Sequence, residues 1–222
     1  MACFKAIFNK AIKNGKAERN PAQGVKMLKE NNERNRVLSP EEYARLLAAC
    51  PPNLKPVVQL AYHTGMRQSE ILNLTWGQVD LKEGFIRLTH RDTKTDEGRL
   101  VPLNKEILKM LQQMPRGLPH ARIFPFRGQA WGSTLQRLFD QARKQSGLED
   151  IWFHDLRHTF ITDRRREGHD YFRIMAATGH KTLSVFKRYN TVSKEELKAL
   201  VGETQEGYSP IYSPGKIVRG EK

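Results

Sequence analysis

The chain has 222 residues, with 38 lysines and arginines against 24 aspartates and glutamates, and a formal net charge of +14. Its mean hydropathy is −0.64, and no apolar run approaches the ~18 residues a membrane-spanning helix needs, which excludes an integral helical membrane protein. A positive surface of this strength suits a polyanion, either nucleic acid or anionic membrane. The two cysteines, Cys3 and Cys50, can build neither a disulfide scaffold nor a zinc site alone, and a reducing cytoplasm is expected.

In chain order, Phe4, Ile7, Phe8 and Ala11 lie on one face of a helix over residues 3–14. Such a helix cannot bury its stripe alone. Residues 21–38 are polar and weakly periodic and read as a linker. Ser39, Pro40 and Glu42 open the next helix with a capping box. Its stripe is Tyr43, Leu46, Leu47 and Cys50, and Pro51-Pro52 stops it. Leu54, Val57, Val58 and Ala61 mark another helix ending near Thr64-Gly65, and a short one follows at 67–74. The period then changes. Residues 78–81, 84–90 and 98–102 read as three short antiparallel strands, with turns at 82–84 and 96–98. Helical spacing returns at Ile107, Met110, Leu111 and Met114, and again at Leu135, Leu138, Phe139 and Ala142. Further helices are predicted at 155–166, 170–178, 181–189 and 194–201, before a tail with two Ser-Pro pairs. The fold class is α+β, mainly helical with a small three-stranded antiparallel sheet.

Four segments carry candidate chemistry. In His154-Asp155-Leu156-Arg157-His158, His154 and Arg157 are three residues apart at a helix start and share a face. That pairing suits a phosphate, with a fixed guanidinium fork beside a group that exchanges a proton near neutral pH. A solvated polar face is the plainer alternative. Metal binding by His154 and His158 is disfavoured, because Arg157 repels a cation and no third ligand is evident. In Thr64-Gly65-Met66-Arg67-Gln68-Ser69-Glu70, Arg67 sits at a loop-to-helix junction with Glu70 placed to orient it. Lys94 occupies a turn between strands. Thr178-Gly179-His180 is followed nine residues later by Tyr189.

Taken together and in this order, the motifs TGMRQSEILNL (64–74), TKTDEGRLVPL (93–103), HDLRHTF (154–160) and TGHKTLSVFKRY (178–189) resemble those of the tyrosine recombinases, the phage-integrase family of site-specific recombinases. The resemblance covers roughly residues 37–201. It implies the last helix of a core-binding domain at 1–20, a linker at 21–36, a catalytic domain at 37–202 and a mobile tail at 203–222. The chain then reads as a C-terminal fragment lacking most of the first domain. Two departures stand out: Thr178 occupies a position usually held by leucine, and Phe186 one where a small residue is common.

The resemblance implies metal-independent breaking and rejoining of double-stranded DNA, without a cofactor. Tyr189 would form a 3′-phosphotyrosine, and His154 would act as base. Arg67 and Arg157 would clamp the phosphate oxygens, His180 would donate a further hydrogen bond, and Lys94 would protonate the leaving 5′-oxygen. Glu70 would hold its arginine in place. The family assembles as a tetramer on DNA, through the segment after the nucleophile, whereas the isolated fragment is compatible with a monomer. Integration or excision of a phage or mobile element in a prokaryotic cytoplasm is the expected setting. A type IB topoisomerase, which usually carries lysine at the position of His154, and a non-catalytic DNA-binding remnant remain as alternatives. A membrane-surface protein fits least, since the basic residues are spread along the chain.

Overall fold

The structure, a computed structural model, describes residues 2–26, 36–93, 97–125, 131–186, 192 and 197–198. The chain divides into two compact units, residues 1–34 and 35–222.

In the first unit, helix α1 (Ala2–Lys13) is met by a returning segment. The Asn20 amide donates to the Lys5 carbonyl at 3.1 Å and to Asn9 Oδ1 at 2.7 Å, and Asn20 Oδ1 accepts from the Ala22 N–H at 3.0 Å. The unit is too small to cover the helix's apolar stripe, so Phe4 and Ile7 stay 62% and 58% exposed.

The second unit begins with α2 (Pro40–Ala49). Its start is the expected capping box: Ser39 Oγ accepts from the Glu42 N–H at 3.2 Å, and Glu42 Oε2 accepts from the Ser39 N–H at 2.9 Å. Such a cap stabilises a helix by about 1 kcal/mol. Glu42 also takes Arg36, whose Nε reaches Asp150 at 2.6 Å. Helices α3 (Lys55–Thr64) and α4 (Gln68–Asn73) follow. Strands β1 (Val79–Asp80), β2 (Phe85–Leu88) and β3 (Arg99–Pro102) pair antiparallel in that order, with Val79 opposite Ile86 and Ile86 opposite Val101. The second strand is shorter than the predicted 84–90. Asp92 Oδ2 accepts from both the N–H and the hydroxyl of Thr89 at 2.7 Å, which curls residues 90–92 into a 3-10 turn. Gln78, expected to open the first strand, instead ends a 3-10 turn over residues 76–78.

Helices α5 (Lys105–Gln113), α6 (Trp131–Gln145), α7 (Asp155–Arg166), α8 (Tyr171–Thr178) and α9 (Leu183–Phe186) complete the described elements. The predicted helix at 181–189 is seen as α9; its last residues, and nearly all of 194–201, lie outside the described residues.

One large core joins α2 through α6, the sheet and the start of α7. The predicted stripes supply it: Leu46, Val57, Val58, Ala61, Ile107, Leu111, Leu135, Phe139 and Ala142 are buried there. A smaller cluster of Ile161, Ile174, Met175 and Phe186, flanked by Phe160, holds α7, α8 and α9 together. Helix α7 crosses α3 and buries a largely polar face, including Asp155, Arg157, His158, Thr159 and Thr162. Among them, Thr159 donates to the Asp155 carbonyl at 2.8 Å and accepts from the Leu38 N–H at 3.0 Å, as burial demands. Among the described residues no helix is long and apolar enough to cross a membrane.

Candidate active site

Two helices end side by side in this unit, and both end on a left-handed glycine: Gly65 (φ 62°) closes α3 and Gly179 (φ 73°) closes α8. At Gly65 a Cβ would come within 2.5 Å of Phe160 Cδ1, so neither the backbone nor the space admits a larger residue. A helix end leaves carbonyls unpaired and gathers the negative end of the dipole. Arginines meet that need here. Arg157, on α7, donates through Nη1 to the Gly65 carbonyl at 2.7 Å and through Nη2 to the Thr178 carbonyl at 2.8 Å, joining the two helix ends. Arg99 Nε takes the Ala177 carbonyl at 2.9 Å, and Arg67 Nη2 takes the Gly179 carbonyl at 3.0 Å. Three successive carbonyls of the α8 terminus thus each receive a guanidinium.

Glu70 organises two of those arginines. Its side chain is fully buried. Oε1 accepts from Arg67 Nη1 and Arg99 Nη1, both at 3.0 Å, while Oε2 accepts from Arg99 Nη2 at 2.6 Å and the Arg67 N–H at 2.8 Å. Burial alone would push this carboxyl's pKa up, but the hydrogen bonds and charge of Arg99, then Arg67, override it and hold the group below the usual carboxylate range. With one carboxylate among Arg67, Arg99 and Arg157, the cluster keeps a positive excess. Arg157 is 2% exposed, whereas the Arg67 side chain is 21% exposed and opens toward solvent.

The histidines face this charge. His154 stands at the N-cap of α7 with an exposed side chain, its ring edge-on to His158 at 5.3 Å. Protein crowding around the ring lowers its pKa, and Arg157 and Arg67 lower it further, against a smaller opposing pull from Asp155. His180 is buried, with Phe186 edge-on at 5.7 Å. Burial first, and then Arg157, Arg67, His154 and Arg99, push its pKa down to about 3. His180 is therefore neutral at pH 7.

Arg67, Glu70, His154, Arg157 and His180, picked from sequence, are therefore neighbours in one charged cluster. Lys94 and Tyr189 lie outside the described residues. Sequence reasoning missed Arg99. A signal existed: in β3 the inward-facing positions alternate, with Val101 buried and Leu100 exposed, so Arg99 shares the inward side and requires a buried partner. Phe186, noted as a departure from the family pattern, is buried against the His180 ring. Among the described residues no group of three or more His, Cys, Asp and Glu side chains could hold a metal ion.

The model of the phage integrase family matches residues 36–196. A shufflon-specific DNA recombinase of Escherichia coli is 33% identical over 198 residues, covering 85% of this chain and 49% of that protein. Among solved structures, XerA recombinase aligns with a TM-score of 0.64 and 25% identity over 92% of this chain and 74% of that one. A lambda integrase tetramer bound to a Holliday junction aligns with a TM-score of 0.67 over 94% of this chain and 60% of that one, at 22% identity, a likeness of fold. The chain spans about half the length of the curated relatives it matches, such as 49% and 48% of two of them.

Proposed function

This chain belongs to the phage integrase family, and on that premise we propose that it is the catalytic part of a site-specific DNA recombinase working through a 3′-phosphotyrosine intermediate. The observation that carries the reading is the gathering of Arg67, Arg157, His154 and His180 around a buried Glu70, a positive site with two imidazoles.

Tyr189 attacks the scissile phosphorus. Its phenol, with an ordinary pKa near ~10, passes its proton to His154, whose pKa burial and then Arg157 and Arg67 hold below the usual imidazole value. Arg67 and Arg157 stabilise the negative charge that develops on the non-bridging oxygens, the largest single contribution expected in such chemistry, with His180 beside them. Lys94 gives a proton to the departing 5′-oxygen. One phosphorus–oxygen bond forms as another breaks, so the phosphotyrosine conserves the linkage. A 5′-hydroxyl from a second strand then releases the tyrosine, and no nucleotide is consumed. The +14 charge supports double-stranded DNA as partner, held with salt-sensitive affinity. Tetramer assembly on DNA, a role for residues 1–20 and 21–36 as helix remnant and linker, and action in a prokaryotic cytoplasm belong to the same reading.

A nicked duplex carrying a 5′-bridging phosphorothiolate tests it, because sulfur leaves without needing a proton. The duplex sequence comes from DNA trapped covalently on the protein in its host. Tyr189→Phe is expected to form no covalent adduct on any substrate. Lys94→Ala is expected to lose about 10²–10⁴-fold on ordinary DNA and to recover on the phosphorothiolate. A covalent adduct from the Phe variant would overturn the assignment.

A further inference from the structure

Residues 89–98 join β2 to β3, and Lys94 belongs to that connection. The antiparallel ladder between the two strands ends at the pair Leu88–Arg99, so the backbone of Arg99 forms the last rung before the connection. Its side chain goes elsewhere. It continues the inward face of β3 past Val101 and is 6% exposed. Nη1 and Nη2 donate to the two oxygens of Glu70 on α4 at 3.0 and 2.6 Å, and Nε donates to the Ala177 carbonyl on α8 at 2.9 Å. At Gly179 an added Cβ would meet Arg99 Nη1 at 3.0 Å, so the residue before His180 also packs against this guanidinium. Three elements, β3, α4 and α8, thus meet on one planar fork, which the single ammonium of a lysine cannot reproduce.

The arm of the connection that leads into Arg99 follows the same path. Glu97 Oε1 pairs with Lys181 Nζ at 3.0 Å. Both side chains are exposed and the pair contributes little stability, but it marks where the arm lies: residues 97–99 run beside residues 177–181, with His180 among them. Thr93, which is buried, closes the neck of the connection. Its hydroxyl donates to the Glu97 carbonyl at 2.9 Å and accepts from the Glu97 N–H at 3.2 Å. Lys94 is the next residue in the chain. We propose that Arg99 is a positioning residue that pins this neck to the end of α8, so that the leaving-group lysine is delivered to the same phosphate that Arg67, Arg157 and His180 hold. The lysine's role rests on the recombinase reading, whereas the docking stands on geometry alone. Without the Arg99 fork the neck keeps its Thr93–Glu97 closure but loses its fixed distance from α8. Glu70 keeps its two bonds from Arg67, so the acid is displaced more than the clamp.

The docking is read first, by native-state hydrogen exchange of the full chain resolved by peptide mass. In the wild type, residues 97–101 and 175–181 are expected to open as one unit, with one free energy and one denaturant dependence. Arg99→Lys keeps the charge but not the fork, and is expected to speed exchange in both segments together while α5 stays unchanged. Segments that open independently in the wild type overturn the proposal, even where the Lys variant fails to fold, and so does a folded Lys variant with unchanged exchange. Catalysis is read second, as the rate of covalent adduct formation at saturating nicked duplex, on ordinary DNA and on the 5′-bridging phosphorothiolate. Arg99→Lys is expected to lose about 10-fold or more on ordinary DNA, as a misplaced general acid would. Most of that loss is expected to be recovered on the phosphorothiolate, as for Lys94→Ala. Leu100→Ala, on the exposed side of β3, is expected to leave both rates unchanged. Equal losses of Arg99→Lys on the two substrates would show an arginine that supports only the fold or the clamp, and would overturn the proposal. A wild type that forms no adduct overturns the recombinase reading and leaves the exchange result to decide the docking.

Discussion

Phe139 in the large core and Arg157 beneath the end of α8 are both shut off from water, at 0% and 2% exposure, yet different forces hold them. The core is apolar side chains on helix and strand faces, stabilised by area removed from water at roughly 25 cal/mol per Å². The α8 corner is a positive cluster stabilised by helix carbonyls and one carboxylate. The core tolerates apolar residues of similar volume at modest cost. The corner tolerates few changes, because each buried donor and acceptor there answers a specific group, and removing one leaves the other stranded.

The largest effect is expected in the core. Phe139→Ala, at a fully buried position, is expected to cost about 3–5 kcal/mol of unfolding free energy in a urea titration. A loss below about 1 kcal/mol would mean the core is not packed as described. In the corner, Arg99→Met removes one of the two guanidiniums on Glu70 and uncovers the Ala177 carbonyl, for about 1–3 kcal/mol. Adding Glu70→Met to it should recover part of that loss, since the stranded charge goes too. A double variant less stable than the sum of the single ones would refute the account of Glu70 as a group that needs both arginines.

The smallest expected effect is acid sensitivity. His180 is neutral in the folded protein because its pKa is near 3, whereas in the unfolded chain it is near ~6.5. Below pH ~6.5 the unfolded state therefore binds a proton that the folded state refuses, and stability falls with falling pH. Between pH 7.5 and 5.5 this loss is about 1.4 kcal/mol, and His154, shifted in the same direction, adds to it. Glu70, held low, acts with the same sign but only below its ordinary value of 4.5. Urea titrations at the two pH values should show the loss in the wild type and a smaller one in His180→Gln. Equal losses would contradict the buried neutral imidazole.

Helix limits and core faces were legible in the sequence because the rules behind them are local. Ser39 and Glu42 cap α2 from three residues away, and Gly65 and Gly179 stop helices by a backbone preference of their own. Strand ends were less legible: Thr89 and Asp92 bend the chain at a place where the apolar alternation still ran on. Helix α7 falls where it was predicted, at 155–166, but its buried face is largely polar and gives no apolar stripe to read. The site residues Arg67, Glu70, His154, Arg157 and His180 stood in segments that local spacing singled out, and resemblance to a family joined them into one site. Arg99 escaped, because that resemblance named no role for it.

The pairing of arginines with helix ends could be read from no local pattern. Arg157 binds carbonyls 92 and 21 residues away, Arg99 one 78 away and Arg67 one 112 away. A carbonyl at a helix end becomes an acceptor in want of a donor only once the helix has stopped there, and a guanidinium reaches it only once the two helices have packed. Composition, caps and periodicity determine which segments fold and which faces they bury. The charge arrangement of the site is a property of how those segments meet.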